Sequence, residues 1–257
     1  MKTAALIGIV AMGLLAAACA TSPTPSATPE TLLPTSTPTT LPTVVTPPTS
    51  EPLATPTAAR GGWSLGAGMI APYRSEMPAV ELDGLVYVPG GFGGETRLER
   101  YDPIADEWRA LANMPAGRHH LMAAVHDGRL YVFGGSTPGG FNPTDTVWRY
   151  DPREDAWTDL GVMPERRMSG AAVTIGEKIY VVGGVGDRDG VLEFTPSSGE
   201  WRMLPGGNAP RDHANAVALD GKVWLIGGRG PTGETNAVET FDPATETWSD
   251  GPSLNGA

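Results

Sequence analysis

Residues 61–257 repeat one pattern of apolar and polar positions, with spacings of 44, 49 and 44 residues. In each cycle a short alternating run turns at two polar or glycine positions into a second apolar run, which ends on a glycine pair. The second runs read "VYVPGG", "LYVFGG", "IYVVGG" and "VWLIGG", and the pairs are Gly90–Gly91, Gly134–Gly135, Gly183–Gly184 and Gly227–Gly228. Each alternating stretch predicts a β-hairpin. Its turn is Asp-Gly three times and Gly-Glu once, sequences suited to primed turns with positive φ. Glycine is a poor strand former, so a pair closing every second strand asks for one shared structural cause.

Further landmarks keep the same register. An aromatic stands three residues before each pair (Tyr87, Tyr131, Tyr180, Trp224), and an arginine stands sixteen before it (Arg74, Arg118, Arg167, Arg211). After a loop of variable length come "RYDP", "RYDP", "EFTP" and "TFDP". The aromatic of each (Tyr101, Tyr150, Phe194, Phe241) precedes a tryptophan by seven residues: Trp108, Trp157, Trp201 and Trp248. A third strand carries the aromatic and a fourth begins near the tryptophan. A four-stranded meander cannot bury both its faces alone and must stack on its neighbours, as propeller blades do.

The double glycines, spaced tyrosines and tryptophans resemble the kelch family, over about residues 63–257. The resemblance implies an all-β fold, a kelch-type propeller of four-stranded blades. Glycine tolerates positive φ and close backbone approach, so the pairs are expected where adjacent blades crowd the axis. The tyrosines and tryptophans are expected to supply contacts between blades. The third repeat departs at Thr195, where the others carry Asp before Pro. Trp63 lies eleven residues before Arg74 and is expected to mark a lone outer strand that completes another blade. With the next arginine due just past Ala257, we expect four complete repeats of a five- to seven-bladed ring, so that the chain is a fragment; a natural end with an open or dimerised ring is the alternative.

Charge and composition add the surroundings. The formal net charge of −11 falls wholly on residues 61–257 and argues against nucleic acid, whose phosphates would be repelled. Residues 1–19 hold Lys2, an apolar run from Ala4 to Ala18 and then Cys19, the sole cysteine. This is the form of a secretory signal, too short for an ordinary membrane span, and it resembles a bacterial lipoprotein signal. The resemblance implies lipidation at Cys19 and an exported, membrane-anchored protein, at the cell surface or on the periplasmic side. Ala16 stands where that family usually has Leu, and ordinary cleavage at an A-x-A site with secretion stays open. Residues 20–60 are a linker in which Thr21–Ala59 holds 13 Thr and 10 Pro, the composition of an extended stalk.

The four arginines are the candidate chemistry. The kelch resemblance places them at the rim of the central channel, where arginines of some relatives bind acidic peptides, and implies an anionic ligand held bidentately. Local pairing that fixes each loop explains the same register. His120 and His213 each follow their arginine by two residues and are expected at the same channel. Two histidines alone are weak grounds for a metal, and neither metal nor cofactor is expected. His119 and His126 hold no repeat position and are expected to be solvated. "GDRDG" at 186–190 reads as an ordinary turn rather than a calcium loop. Motifs of nucleophilic, zinc-protease or phosphate-binding sites are lacking. The cysteine-crosslinked tyrosine of galactose oxidase is excluded, because Cys19 lies in the signal. Two functions stand: a binding module for protein or glycan, with loops such as "STPGGFNPTDT" (136–146) displayed, and a sugar-active enzyme resembling N-acetylneuraminate epimerase. The lack of an evident acid–base pair favours binding.

Overall fold

The chain divides into residues 1–60 and 61–257. In the computed structural model the described residues are 64–71, 73–186, 190–207 and 210–255. The signal with Cys19, the Thr/Pro segment and Trp63 lie outside them. Among the described residues no helix is long and apolar enough to cross a membrane.

Four sheets follow one another as blades of a partial propeller. Blade 1 comprises β1 (Val80–Leu82), β2 (Leu85–Pro89), β3 (Leu98–Asp102) and β4 (Glu107–Ala110). Blade 2 comprises β5 (Met122–His126), β6 (Arg129–Phe133), β7 (Thr144–Asp151) and β8 (Ala156–Met168). In blade 3, β9 (Ala171–Ile175) and β10 (Lys178–Val182) are followed by the two-residue β11 (Val185–Gly186), then β12 (Val191–Thr195) and β13 (Glu200–Leu204). Blade 4 has β14 (Asn215–Leu219) and β15 (Lys222–Ile226), a small ribbon β16 (Arg229–Gly230) and β17 (Gly233–Glu234), then β18 (Val238–Asp242) and β19 (Thr247–Asp250). Each blade is an antiparallel meander, and β11 adds to the long β8. The innermost strands β1, β5, β9 and β14 pack in sequence order, each against the next.

Alternation along the second strands explains why they are apolar throughout. In β10, Ile179 and Val181 join the core against blade 2, while Tyr180 and Val182 join the core against blade 4. In β6, Leu130 and Val132 face blade 1, and Tyr131 and Phe133 face blade 3. A strand between two blades has no solvent face, so both of its side-chain rows must be apolar.

The turns match the sequence expectation. Asp83–Gly84, Asp127–Gly128 and Asp220–Gly221 all have positive φ, as type I′ requires, while Gly176 alone is positive before Glu177, as type II′ requires. Both glycines of every pair have positive φ, from 53° to 100°. The second glycine also ties successive repeats together: Gly91, Gly135 and Gly184 donate their N–H to the carbonyls of Arg118, Arg167 and Arg211, each in the segment that leads to the next blade's innermost strand, at 2.8–2.9 Å.

Each tryptophan stacks on the aromatic directly opposite it in its own blade, Tyr101–Trp108, Tyr150–Trp157, Phe194–Trp201 and Phe241–Trp248, with centroids 4.6–5.3 Å apart. Packing also crosses between blades, as where Trp201 stands edge-on to Phe133 at 5.9 Å between centroids, and the ring N–H groups bind the preceding segment. Indole N–H groups of Trp108, Trp157 and Trp248 donate to the carbonyls of Ala67, Ala112 and Pro205. At the third repeat, Thr195 has no carboxylate of the kind that Asp102, Asp151 and Asp242 offer to the N–H groups of the turn after them. Its carbonyl accepts from Ser198 and Gly199 instead, and the turn is kept.

Candidate functional site

The four arginines do not rim the channel. Arg74, Arg118, Arg167 and Arg211 are only 9%, 8%, 2% and 3% exposed. Arg74 Nε donates to Gly90 O at 2.9 Å and one Nη to Val88 O at 3.0 Å. Arg211 reaches the equivalent Leu225 O at 3.1 Å, and Arg167 reaches Gly183 O and Gly190 O. Each of these three guanidiniums thus satisfies carbonyls exposed where the chain leaves its second strand for the glycine turn.

One further register position chooses the arginine's partner, the residue two before the third-strand aromatic. Glu99 pairs with Arg74 at 3.3 Å and Glu239 with Arg211 at 2.6 Å. In blade 2 the position holds Trp148, and Arg118 lies over its ring, 4.9 Å from the centroid. Blade 3 has Leu192 there, and Arg167 pairs instead with Glu165 of its own strand. Burial weakens the Arg74 cation's hold on its proton, and the Glu99 carboxylate opposes that. These are structural cations, and the sequence expectation of an arginine mouth is corrected accordingly.

What faces the axis is the residue two beyond each arginine: Glu76, His120, Ser169 and His213. All four have positive φ, 53–57°. Their amides form a chain around the axis: His120 N–H donates to Glu76 O, Ser169 N–H to His120 O and His213 N–H to Ser169 O, at 2.7–2.8 Å. Positive φ in non-glycine residues costs on the order of 1 kcal/mol each, and interlocking bonds of this kind hold it in place. His120 and His213 thus stand in one chain of backbone bonds with Glu76 and Ser169, beside the innermost strands.

The same four residues line a recess of about 350 Å³ between the innermost strands. They also line an adjoining space of about 230 Å³ toward the loops, shared with Phe92, Phe141, Asp212 and Arg229. Loop residues reach this mouth through short antiparallel bridges: Ser75 with Phe92, His119 with Ser136, and Asp212 with Arg229. Phe141 is 65% exposed, edge-on to Phe92, His119 and His120.

His120 Nε2 lies 3.5 Å from Glu76 Oε2, and His213 Nε2 lies 3.6 Å from the same oxygen. Burial pulls the His120 imidazolium below histidine's ordinary range, with the Glu76 carboxylate opposing it. His119 is fully buried rather than solvated. It stacks on Phe92 at 3.9 Å between centroids, and its Nδ1 lies 2.6 Å from His120 Nδ1. His126 lies away from the mouth, 3.7 Å from Glu177. Of the "GDRDG" segment, residues 187–189 fall outside the described residues. Glu76 is the residue sequence reasoning missed, although its place two beyond Arg74 was the available signal.

The kelch motif model matches residues 73–115, 117–164, 166–208 and 210–255, the four blades in order. The chain belongs to the kelch-repeat family. It is 38% identical to mouse Kelch-like protein 35 over 179 residues, 68% of this chain and 31% of that protein. It is 30% identical to human Kelch-like protein 38 over 196 residues, 73% of this chain and 33% of that protein. The kelch chain thus spans about a third of the length of the curated relatives it matches. Among solved structures it resembles YjhT, with a TM-score of 0.62 and 24% identity over 72% of this chain and 67% of that one, a likeness of fold.

Proposed function

We propose that this chain is an exported kelch propeller, anchored through Cys19, that binds a protein or glycan partner at its axial mouth. Kelch domains generally mediate protein interactions. The observation that carries the reading is Phe141, an aromatic 65% exposed at the mouth, braced by Phe92 and two imidazoles, with the Asp212–Arg229 pair in the same space. Exposed aromatics flanked by arginine are typical energetic centres of interfaces. An acidic group on the partner would meet Arg229 rather than the buried arginines.

The test is a binding screen with immobilised full chain against glycans and surface proteins. Phe141→Ala and Arg229→Ala are each expected to weaken a captured partner at least about 10-fold, in line with losses at interface centres. A partner held equally well by both variants would place binding elsewhere.

One observation favours the sugar-active reading. Glu76, two imidazoles and the Ser169 hydroxyl converge on one recess, a set suited to moving protons. Accelerated anomer exchange of sialic acid by the chain, lost in Glu76→Gln, would support it over simple binding.

A further inference from the structure

We propose that Glu76, His120 and His213 form a binding site for a divalent first-row transition metal ion, zinc in the first instance. The inference stands apart from the partner-binding reading, because metal binding is measured with no protein or glycan present.

The hydrogen-bond network assigns a lone pair to each facing nitrogen. Thr137 O, a carbonyl that can only accept, lies 3.1 Å from His119 Nε2, which therefore carries the proton. Nδ1 of a neutral His119 is then an acceptor and takes the Nδ1 proton of His120, 2.6 Å away. His120 Nε2 is left unprotonated, facing Glu76. His213 Nδ1 lies 2.5 Å from Asp212 Oδ1 and donates to it. Arg229 Nε donates to that same oxygen at 3.0 Å, and its Nη2 lies 3.1 Å from His213 Nδ1, farther than the carboxylate that takes the proton. His213 Nε2 is likewise left with a lone pair facing Glu76.

Two imidazole lone pairs aimed at one carboxylate oxygen repel unless a cation lies among them. The spacing suits an ion. All three ligand atoms lie within 4.8 Å of one another, and the two nitrogens stand 3.5 and 3.6 Å from Glu76 Oε2. Ligands at zinc distances in a tetrahedron stand about 3.3 Å apart. Metal-binding histidines commonly donate their second N–H to a carboxylate or other acceptor that fixes the ring, and Asp212 and His119 occupy that place here. A second observation concerns a residue lining the same recess: the Ser169 hydroxyl, on a residue 6% exposed, has no hydrogen-bond partner among the described residues. Two histidines and one carboxylate with a position left open is a donor set of exchangeable zinc and iron(II) sites.

The test is calorimetric titration of the metal-stripped full chain with zinc chloride, with cobalt(II) absorption reporting the coordination geometry. We expect one ion per chain, intense visible bands from four-coordinate cobalt, and a zinc-dependent rise in melting temperature. Glu76→Gln and His213→Asn, both at partly exposed side chains, should each cost more than about 100-fold in affinity, and Asp212→Asn about 10–100-fold. His126→Ala, at the separate His126–Glu177 pair, should change nothing. The idea is overturned if no zinc binds, if Glu76→Gln and His213→Asn bind as wild type does, or if His126→Ala removes the site. Melting curves of the metal-free variants confirm that each is folded before titration.

Discussion

The amide of Ser169 donates to the carbonyl of His120 across 2.7 Å, joining blade 3 to blade 2 at the axis. Both residues sit at positive φ, 57° and 56°, a region that β-branched residues avoid. The bond needs that backbone geometry and not the serine side chain.

Ser169→Gly is therefore expected to retain full stability, since glycine relieves the strain and removes a buried hydroxyl that has no partner among the described residues. Ser169→Val should destabilise by about 1–2 kcal/mol. Urea denaturation of the pair measures the difference, and equal stabilities would show that the axial chain of bonds tolerates other conformations.

The glycine pairs separate conformational strain from crowding. Gly84 has φ of +79° and open space where a methyl would stand, whereas a methyl at Gly91, φ +92°, would meet the Ser75 carbonyl at 2.6 Å. Gly84→Ala should cost about 1 kcal/mol, the left-handed penalty alone. Gly91→Ala should cost about 1–3 kcal/mol more, through overpacking against backbone. Similar costs at both sites would mean that the pairs serve φ only.

Blades, hairpins and turn types were legible because they recur in register, and repetition turns four weak local signals into one strong one. Thr195 was readable as a local exception for the same reason. The site was less legible, because it lives in the positions that differ between repeats. Glu76, His120, Ser169 and His213 occupy one register with three chemistries, and no single spacing marks them as a set. The buried arginines misled for a related physical reason. A residue repeated for packing and one repeated for binding look the same until burial is known. Their partner position, Glu99, Trp148 and Glu239 two before the aromatic, was available in the sequence and would have favoured local pairing.

Asp155 makes blade 2 sensitive to acid. The Tyr150 hydroxyl at 2.6 Å, and then the Ala112 N–H at 2.8 Å, hold its carboxyl below the usual aspartate range. A depressed folded value stabilises the protein fully above the unfolded value of about 3.9 and loses that contribution as pH falls through the folded one. Asp155→Asn tolerates the positive φ of 47° and isolates the charge. It should lower stability at neutral pH and flatten the acid limb of the stability curve. An unchanged acid limb would remove Asp155 from the pH response.

The proposed anchoring rests on Cys19, the sole cysteine, placed directly after the apolar run and small residues. Palmitate labelling in a bacterial host is expected to mark the wild type and to miss Cys19→Ser. Equal labelling of the two, or release of unlabelled wild type into the medium, would favour ordinary cleavage at an A-x-A site.

Arg74 decides between a structural and a ligand-binding role for the repeated arginines. Its side chain is wholly buried, pairs with an equally buried Glu99 at 3.3 Å and donates to two carbonyls at the strand end. Removing it strands a buried carboxylate and leaves those carbonyls without their cation. Arg74→Met is therefore expected to cost about 3–5 kcal/mol. Arg74→Met with Glu99→Leu should recover a large part of that loss, because the uncompensated charge goes with the second substitution. Glu99 also accepts the Ala71 N–H at 3.0 Å, so recovery should be incomplete. The folded double variant should bind any mouth partner as wild type does, since neither side chain reaches the recess shared by Phe141 and Arg229. Calorimetry of the single and double variants, followed by binding to the same partner, separates the roles. Undiminished stability with lost affinity for an acidic ligand would return the arginines to the binding surface.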